Sequence, residues 1–166
     1  MDYKRLNEIA LDSFFSYTAP LNTDTIELMK QEVLDMCAQS CQQYAKHWSC
    51  PPRCGFLEEL HKNIDFYNQG ILVQTVTELE DEFDWDGMMK AQSLHQEHFL
   101  RFLEKLHAYQ FSFLPLGTGC CIICKTCTYP YAPCRFPQKK NFFHGSIRYV
   151  GIRNMSEKPA QILLWF

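Results

Sequence analysis

The cysteines between residues 121 and 134 constrain this chain more than any other feature of its sequence. Cys121, Cys124, Cys127 and Cys134 follow the pattern C-x2-C-x2-C-x6-C. Two-residue spacers curl the backbone so that successive sulfurs face one pocket, and this spacing is typical of the thiolate ligands of iron–sulfur clusters. The pattern therefore predicts a metal centre on these four side chains. Cys120 is left out, because two adjacent residues do not easily face the same pocket.

The segment around these cysteines is too irregular to order itself. Residues 117–137 are rich in Gly and Pro and lack an apolar periodicity that a core could use. Something else has to order the segment, and a bound metal would do so. Two kinds of metal fit the same four thiolates: a [4Fe–4S] cluster, which we prefer, and a structural zinc ion, with which the spacing is equally compatible.

A second group of cysteines lies in the N-terminal half of the chain. Cys37 and Cys41 are one helical turn apart, and Cys50 and Cys54 lie on either side of a Pro-Pro pair. Together these four have the number of thiolates that a second metal site needs. The alternative is that Cys37 and Cys41 belong to the buried face of a helix, since reduced cysteine is among the most buried residue types. The sequence is compatible with both interpretations.

Charge and composition restrict the partners and the compartment. The 16 basic and 19 acidic side chains leave a net charge of −3, which predicts no binding to nucleic acid or to an anionic membrane. Acidic residues interrupt the start of the chain, where a secretion signal needs an apolar run, and no segment has the roughly 20 apolar residues of a membrane helix. We therefore expect a cytoplasmic protein. Nine cysteines in a reducing compartment, where stable disulfides are rare, indicate metal binding.

Hydrophobic periodicity predicts helices packed on a small mixed sheet, with the Cys-rich metal-binding loop at one end. The fold class is α/β or α+β, and the chain forms a single Cys-rich domain over residues 1–140. The predicted helices cover 24–44, 56–66 and 84–107, and the predicted strands cover 70–79 and 109–117.

No catalytic constellation can be identified. The chain has no Walker A, GxSxG or dinucleotide-binding GxGxxG motif. His95 and His98 lie near Glu97 on the predicted long helix, but their spacing is not that of HExxH, and His98 falls in the apolar stripe. We expect these histidines to pack rather than to bind metal. Catalytic residues are therefore unknown, and the sequence does not decide whether the chain is an enzyme.

Several short motifs together resemble a known family. They are WSCPP at residues 48–52, which Cys37 and Cys41 precede, and GCCIICKTC and PCRFP far downstream. This combination is similar to the predicted metal-binding proteins grouped as domain of unknown function 2284, and the resemblance runs from about Ile26 to Pro137. It implies a cysteine-bound metal or iron–sulfur centre, with Cys37, Cys41 and Cys50 in one block and the set at 121, 124, 127 and 134 in the other. It implies no biochemical activity.

These observations lead to a functional hypothesis and two alternatives. The hypothesis is a cytoplasmic iron–sulfur protein that transfers electrons or senses redox state, acting with a redox or protein partner that the sequence does not identify. The first alternative is a zinc-stapled interaction module without redox chemistry. The second is an enzyme that uses the cluster as a Lewis acid.

Residues 141–166 form a C-terminal tail that departs from the family pattern. After the Cys-Arg-x-Pro element the family continues with a segment like Ser-Met-Glu-Ala-x-Gly, where this chain has NFFHGSIRYVG. Codons for residues 141–150 can be chosen so that the frame one nucleotide later encodes Ile-Ser-Ser-Met-Glu-Ala-Tyr-Gly-Met. We therefore predict a frame-shifted tail that does not pack, with a divergent C-terminus as the alternative.

Overall fold

The computed structural model describes residues 3–21, 26–28, 31–53, 62, 64–67, 69–117, 119–137, 142–143 and 147–149, with the backbone alone at 26–28, 142–143 and 147–149. Three helices are defined in this part: α1 (Tyr3–Leu11), α2 (Gln31–Ser40) and α3 (Trp85–Ala108). The strands are β1 (Tyr17–Leu21), β2 (Ile26–Leu28), β3 (Gly70–Gln74), β4 (Leu116–Gly117), β5 (Phe142–Phe143) and β6 (Ile147–Tyr149).

The fold is α+β, one of the two predicted classes. The described strands form three two-stranded pairs: β1 with β3 and β2 with β6 are antiparallel, and β4 with β5 is parallel. The backbone forms two compact units, Met1–Leu21 with Gln69–Ser112 and Asn22–Asn68 with Phe113–Phe166. The single domain expected over 1–140 stays a prediction.

The first unit has a small apolar core and one antiparallel strand pair, β1 with β3. Tyr17 lies opposite Gln74 and Leu21 opposite Gly70 in the β1–β3 register. The strand predicted from residue 70 is therefore confirmed in place, although it ends at Gln74 rather than near Leu79. The buried apolar side chains of the unit come from α1, from α3 and from the turn after α1: Ile9, Ala10, Phe15, Ala91, Phe102, Leu103 and Leu106.

Helix α3 begins and ends almost where its sequence predicts. The Asp84 carboxylate caps the N-terminus, because Gly87 N–H donates to its Oδ1 at 2.8 Å and Glu80 N–H to its Oδ2 at 3.2 Å. These two hydrogen bonds lower the pKa of Asp84. Lys105 and His107 lie in the last turn, at the negative end of the helix dipole.

His95 and His98 pack inside the first unit. Thr75 Oγ1 lies 3.1 Å from Nδ1 of His95 and 3.3 Å from Nδ1 of His98. The Phe15 ring is 5.5 Å and 5.9 Å from the same two imidazole rings. This environment agrees with the packing role expected for both histidines.

The second unit differs from the prediction at its first helix. Residues 26–28, expected to be helical, form β2 and pair with β6 in the register Ile26 to Tyr149. The helix α2 covers only Gln31–Ser40, and turns follow over 42–53. Pairing with a strand far along the chain satisfies the backbone groups at 26–28, which local periodicity could not anticipate. No residue of α2 is buried, so its apolar stripe is not a packed face.

The strand predicted over 109–117 is also largely wrong. Tyr109 is the C-cap of α3, and Phe111 N–H donates to the Leu106 carbonyl at 3.2 Å. The end of the helix therefore uses the N–H groups of Tyr109 and Phe111, which a strand would need for its own pairing. Within 109–117, only Leu116–Gly117 forms a strand. Lys62, Ile64 and Asp65 are helical, but most of the helix predicted over 56–66 lies outside the described residues.

Little of the C-terminal tail is described. Residues 142–143 and 147–149 are the strands β5 and β6, and the other residues after 137 lie outside the described residues. The frame-shifted origin of 141–166 and its lack of packing stay predictions. Within the described part of the chain, no helix combines the length and the apolar character needed to cross a membrane.

Candidate metal centre

The four cysteines of the downstream set line one pocket in the second unit. Cys121, Cys124, Cys127 and Cys134 are each half-buried with free thiols, and no disulfide joins any of the described cysteines. The irregular loop predicted over 117–137 is confirmed, apart from the two-residue β4 at its start. We call this site the four-cysteine pocket; its other lining residues are His47, Trp48, Ile123, Thr128, Arg135 and Phe136.

The thiols of the four-cysteine pocket influence each other electrostatically. Burial raises the pKa of Cys121, and the negative charges of Cys124, Cys134 and Cys127 raise it further. The backbone N–H of Ile123 acts in the opposite direction, since it donates to the Cys121 sulfur. Metal-free Cys121 therefore stays protonated at neutral pH. A bound cation would reverse this preference, because metal ligation needs the thiolate and releases the proton.

The donor chemistry of the pocket fits a thiophilic metal. Four thiols, no nearby carboxylate among the lining residues and partial exclusion of water suit iron–sulfur clusters or zinc better than calcium or magnesium. Among the described residues, no three His, Cys, Asp or Glu side chains are arranged so that they could hold a metal ion. Ligation by Cys121, Cys124, Cys127 and Cys134 therefore stays a prediction.

Trp48 fixes the far end of the cysteine loop. Its indole Nε1–H donates to Thr128 Oγ1 at 3.2 Å and to the Ala132 carbonyl at 3.1 Å. The Thr128 hydroxyl donates in turn to the Pro133 carbonyl at 2.9 Å. The edge of one ring also faces the other in the Trp48–Tyr129 pair, at 5.1 Å between centroids. These contacts span the whole interval between Cys127 and Cys134.

Ser49 fixes the near end of the same loop. Its side chain is fully buried, and the Cys121 backbone N–H donates to its Oγ at 3.0 Å. Two adjacent residues, Trp48 and Ser49, therefore bind both ends of the segment that carries the four cysteines. The sequence predicts that the loop cannot order itself. Trp48 and Ser49 are residues outside the loop that help to order it.

The chain around Trp48 is itself a rigid turn, as the Pro-Pro pair predicts. Cys50 N–H donates to the His47 carbonyl at 3.1 Å, and Ala45 N–H donates to the Pro51 carbonyl at 2.9 Å. Pro51 and Pro52 have no N–H group that needs a partner. The guanidinium of Arg53 lies 5.4 Å from the centre of the Trp48 ring, which it helps to fix by a cation–π contact.

His47 also lines the four-cysteine pocket. Its Nε2 lies 3.0 Å from Gln43 Oε1, whereas its Nδ1 is buried and has no hydrogen-bond partner among the described residues. Burial lowers the pKa of His47, and Lys46 lowers it further, so the ring is neutral. An unsatisfied buried polar atom costs about 1–3 kcal/mol. Sequence reasoning missed His47; its only signal is that it directly precedes the WSCPP motif.

Arg135 contributes a positive charge beside the cysteines. Its Nη1 donates to the Thr126 carbonyl at 2.9 Å, so the guanidinium is fixed across the loop. A cation at this point would offset the negative charge of a tetrathiolate centre.

The upstream cysteine set is only partly described. Cys37 is half-buried and Cys41 is exposed, and Cys41 N–H donates to the Cys37 carbonyl at 3.1 Å. The pKa of Cys37 is raised by burial and by the charge of Cys41, so these two thiols are neighbours. Cys50 is buried, with its sulfur 3.9 Å from Ser49 Oγ. Cys54 lies outside the described residues, and the second site stays a prediction.

Cys120 lies within the electrostatic influence of Cys41, one member of the upstream set. Burial raises its pKa, and the charge of Cys41 adds to the effect, while a hydrogen bond from its own backbone opposes it. Cys120 and Cys121 are adjacent in sequence, yet one is influenced by Cys41 and the other by the pocket thiols. This agrees with the expectation that the two side chains do not share one pocket.

Comparison with known proteins identifies one family. A family model described as a predicted metal-binding protein, domain of unknown function 2284, matches residues 19–153. The match extends beyond Lys140, so the resemblance does not stop where the sequence motifs alone end. No curated protein and no solved structure matches the chain.

Proposed function

Because the chain belongs to this family of predicted metal-binding proteins, we propose that its four-cysteine pocket binds an iron–sulfur cluster of the [4Fe–4S] type and that the protein transfers electrons or senses redox state in the cytoplasm. The observation that carries the proposal is that Cys121, Cys124, Cys127 and Cys134 line one pocket with free thiols. When bound, such a cluster would supply reversible one-electron chemistry.

The residues around the pocket support a preformed site. Ser49 accepts the Cys121 N–H and Trp48 donates to Thr128 and Ala132, so the loop already has fixed ends before any metal binds. Fixed ends keep the reorganisation between oxidation states small. A zinc ion that merely staples the loop would duplicate contacts that the protein already makes, and this favours the redox role over the zinc-stapled interaction module.

The upstream cysteines are proposed as a second site of the same kind. Cys37 and Cys41 are close neighbours. Cys37 lies on α2, no residue of which is buried, and Cys41 follows the helix and is exposed, so a packed-core explanation of these two thiols has little support. Cys50 and Cys54 would complete the set. The redox partner is proposed to be a protein, and nothing in the net charge favours nucleic acid.

Anaerobic purification followed by iron, sulfide and zinc analysis tests this proposal. We expect iron and acid-labile sulfide in equal amounts, with a broad visible absorption that zinc thiolates lack. The substitution Cys124→Ser should remove the colour assigned to the downstream site, whereas Cys120→Ser, the same change in the same loop, should retain it. Stoichiometric zinc without iron would establish the alternative instead.

The second site has its own test. If Cys37 and Cys41 bind a further cluster, the double substitution Cys37→Ser and Cys41→Ser should lower the iron content by about half while Cys124→Ser removes the other half. Unchanged iron in the double variant would reject the second site and leave the first intact.

A further inference from the structure

His47 has a nitrogen atom that no described residue uses. The side chain lines the four-cysteine pocket, its Nε2 contacts Gln43 Oε1 at 3.0 Å, and its Nδ1 is buried without a partner. Buried polar atoms in folded proteins are nearly always satisfied, and an exception requires an explanation such as an absent ion. His47 lines the same pocket as four thiols, and this suggests that the absent ion is a metal held there.

The contact with Gln43 determines which ring nitrogen is free to bind. An amide oxygen only accepts hydrogen bonds, so Nε2 of His47 must carry the hydrogen that Gln43 Oε1 accepts. In a neutral imidazole the other nitrogen, Nδ1, then carries a lone pair. A neutral imidazole with one N–H bonded to a fixed acceptor is the usual form of a metal-binding histidine. Gln43 would therefore orient His47 as outer-shell residues orient metal ligands.

We propose that His47 Nδ1 is a metal ligand of the four-cysteine pocket, so that the metal has a first shell of three thiolates and one imidazole. This rests on the proposed function only in that the pocket binds metal. Five donors then exist for four positions, and one of the four cysteines, other than Cys124, is not bound at the same time. Both iron–sulfur clusters and zinc accept such a mixed shell. Replacing one thiolate by a neutral ligand reduces the negative charge of the centre and raises its reduction potential.

Cobalt binding to the metal-free, full-length protein tests this assignment. Co²⁺ alone is added anaerobically, and X-ray absorption spectroscopy counts the nitrogen and sulfur atoms around it. In the Cys37→Ser and Cys41→Ser background, which lacks two ligands of the proposed second site, we expect three sulfurs and one nitrogen. His47→Ala should remove the nitrogen and weaken cobalt binding by about tenfold or more, and added imidazole should restore the nitrogen.

Two further variants separate ligation from a structural role. His47→Gln retains a side chain that can hydrogen bond to Gln43 but has no Nδ1, so it should behave like His47→Ala. His107→Gln is the same change at a histidine of α3 that does not line the pocket, and it should bind cobalt like the wild type. Circular dichroism checks that each variant is folded.

The outcomes distinguish the inference from the proposed function. Four sulfurs and no nitrogen in the Cys37→Ser and Cys41→Ser background, or a His47→Gln variant that binds like the wild type, would overturn the assignment of His47 and leave the pocket a metal site. Wild-type protein that binds no cobalt would also overturn the assignment of His47, whereas the proposed function would fall only with the iron and sulfide analysis. Iron and sulfide content is independent of this result and tests only the identity of the native centre.

Discussion

The Trp48 indole N–H donates to the carbonyl oxygen of Ala132 across 84 residues of sequence, at 3.1 Å. The same N–H also contacts Thr128 Oγ1 at 3.2 Å. This shared hydrogen bond connects the WSCPP turn to the end of the loop that carries the four-cysteine pocket. The two sequence motifs that identify the family are therefore parts of one structural site.

Removing only the indole N–H should loosen this connection. Trp48→Phe keeps an aromatic ring against Tyr129 but leaves Thr128 and Ala132 without their donor. We expect the free energy of unfolding to fall by about 1–2 kcal/mol, measured by urea denaturation of the metal-free protein. Trp85→Phe is the matched control, because Trp85 is 65% exposed and should change stability by no more than about 0.5 kcal/mol. Equal effects of the two substitutions would contradict this role of Trp48.

Ser49→Ala should destabilise the other end of the loop. The substitution leaves the Cys121 N–H, which is partly buried, without its acceptor, and the loss of this hydrogen bond costs about 0.5–1.5 kcal/mol. Ser93→Ala provides the control, since the Ser93 hydroxyl donates to a carbonyl on the exposed surface of α3. Urea midpoints of both variants give the comparison, and a Ser49→Ala midpoint equal to that of Ser93→Ala would show that the Cys121 contact is unimportant.

The metal-free protein should lose stability at alkaline pH. Burial raises the pKa of Cys37, Cys120 and Cys121 above the ordinary value of 9.0. The folded chain then retains protons that the unfolded chain loses first, so this contribution is fully present below pH 9 and disappears as the pH rises through the folded pKa values. Urea midpoints measured with a reductant between about pH 8 and pH 10 should therefore decline. The variant in which all three cysteines are replaced by serine should show a smaller decline of the urea midpoint. A wild-type decline no larger than that of the variant would show that these thiols do not cause the pH dependence.

Helix α3 depends on its N-cap. Asp84→Ala removes the acceptor of the Gly87 and Glu80 N–H groups, and we expect the free energy of unfolding to fall. Asp84→Asn, which retains an oxygen acceptor, should recover most of the lost stability. Asp86→Ala changes a carboxylate in the same turn that does not cap the helix. If chemical denaturation shows a larger loss of stability for Asp86→Ala than for Asp84→Ala, Asp84 does not cap the helix.

Local sequence information predicted the parts of the molecule whose structure is determined locally. Helix α3 has its own cap, apolar face and charge pattern, and its predicted bounds differ from the observed ones by one residue at each end. The spacing of Cys121, Cys124 and Cys127 likewise indicated one pocket. These features depend on residues that are close in sequence.

The parts that could not be predicted depend on distant residues. Residues 26–28 are a strand because residues 147–149 pair with them, and apolar periodicity contains no information about that partner. The contacts of Trp48 and Ser49 with the cysteine loop are likewise invisible in either segment alone. His47 was missed because a single histidine beside a motif has no periodicity or spacing to reveal it.

Low-temperature electron paramagnetic resonance of the anaerobically purified protein, before and after reduction with dithionite, tests the central claim most directly. We expect reduction to produce the signal of a one-electron-reduced [4Fe–4S] cluster at about one spin for each occupied site, and reoxidation to remove it. Cys124→Ser should lack the signal of the downstream site, whereas Cys120→Ser should retain it. Wild-type protein that contains one zinc ion per chain and gives no signal in either state would show that the centre is zinc and not an iron–sulfur cluster.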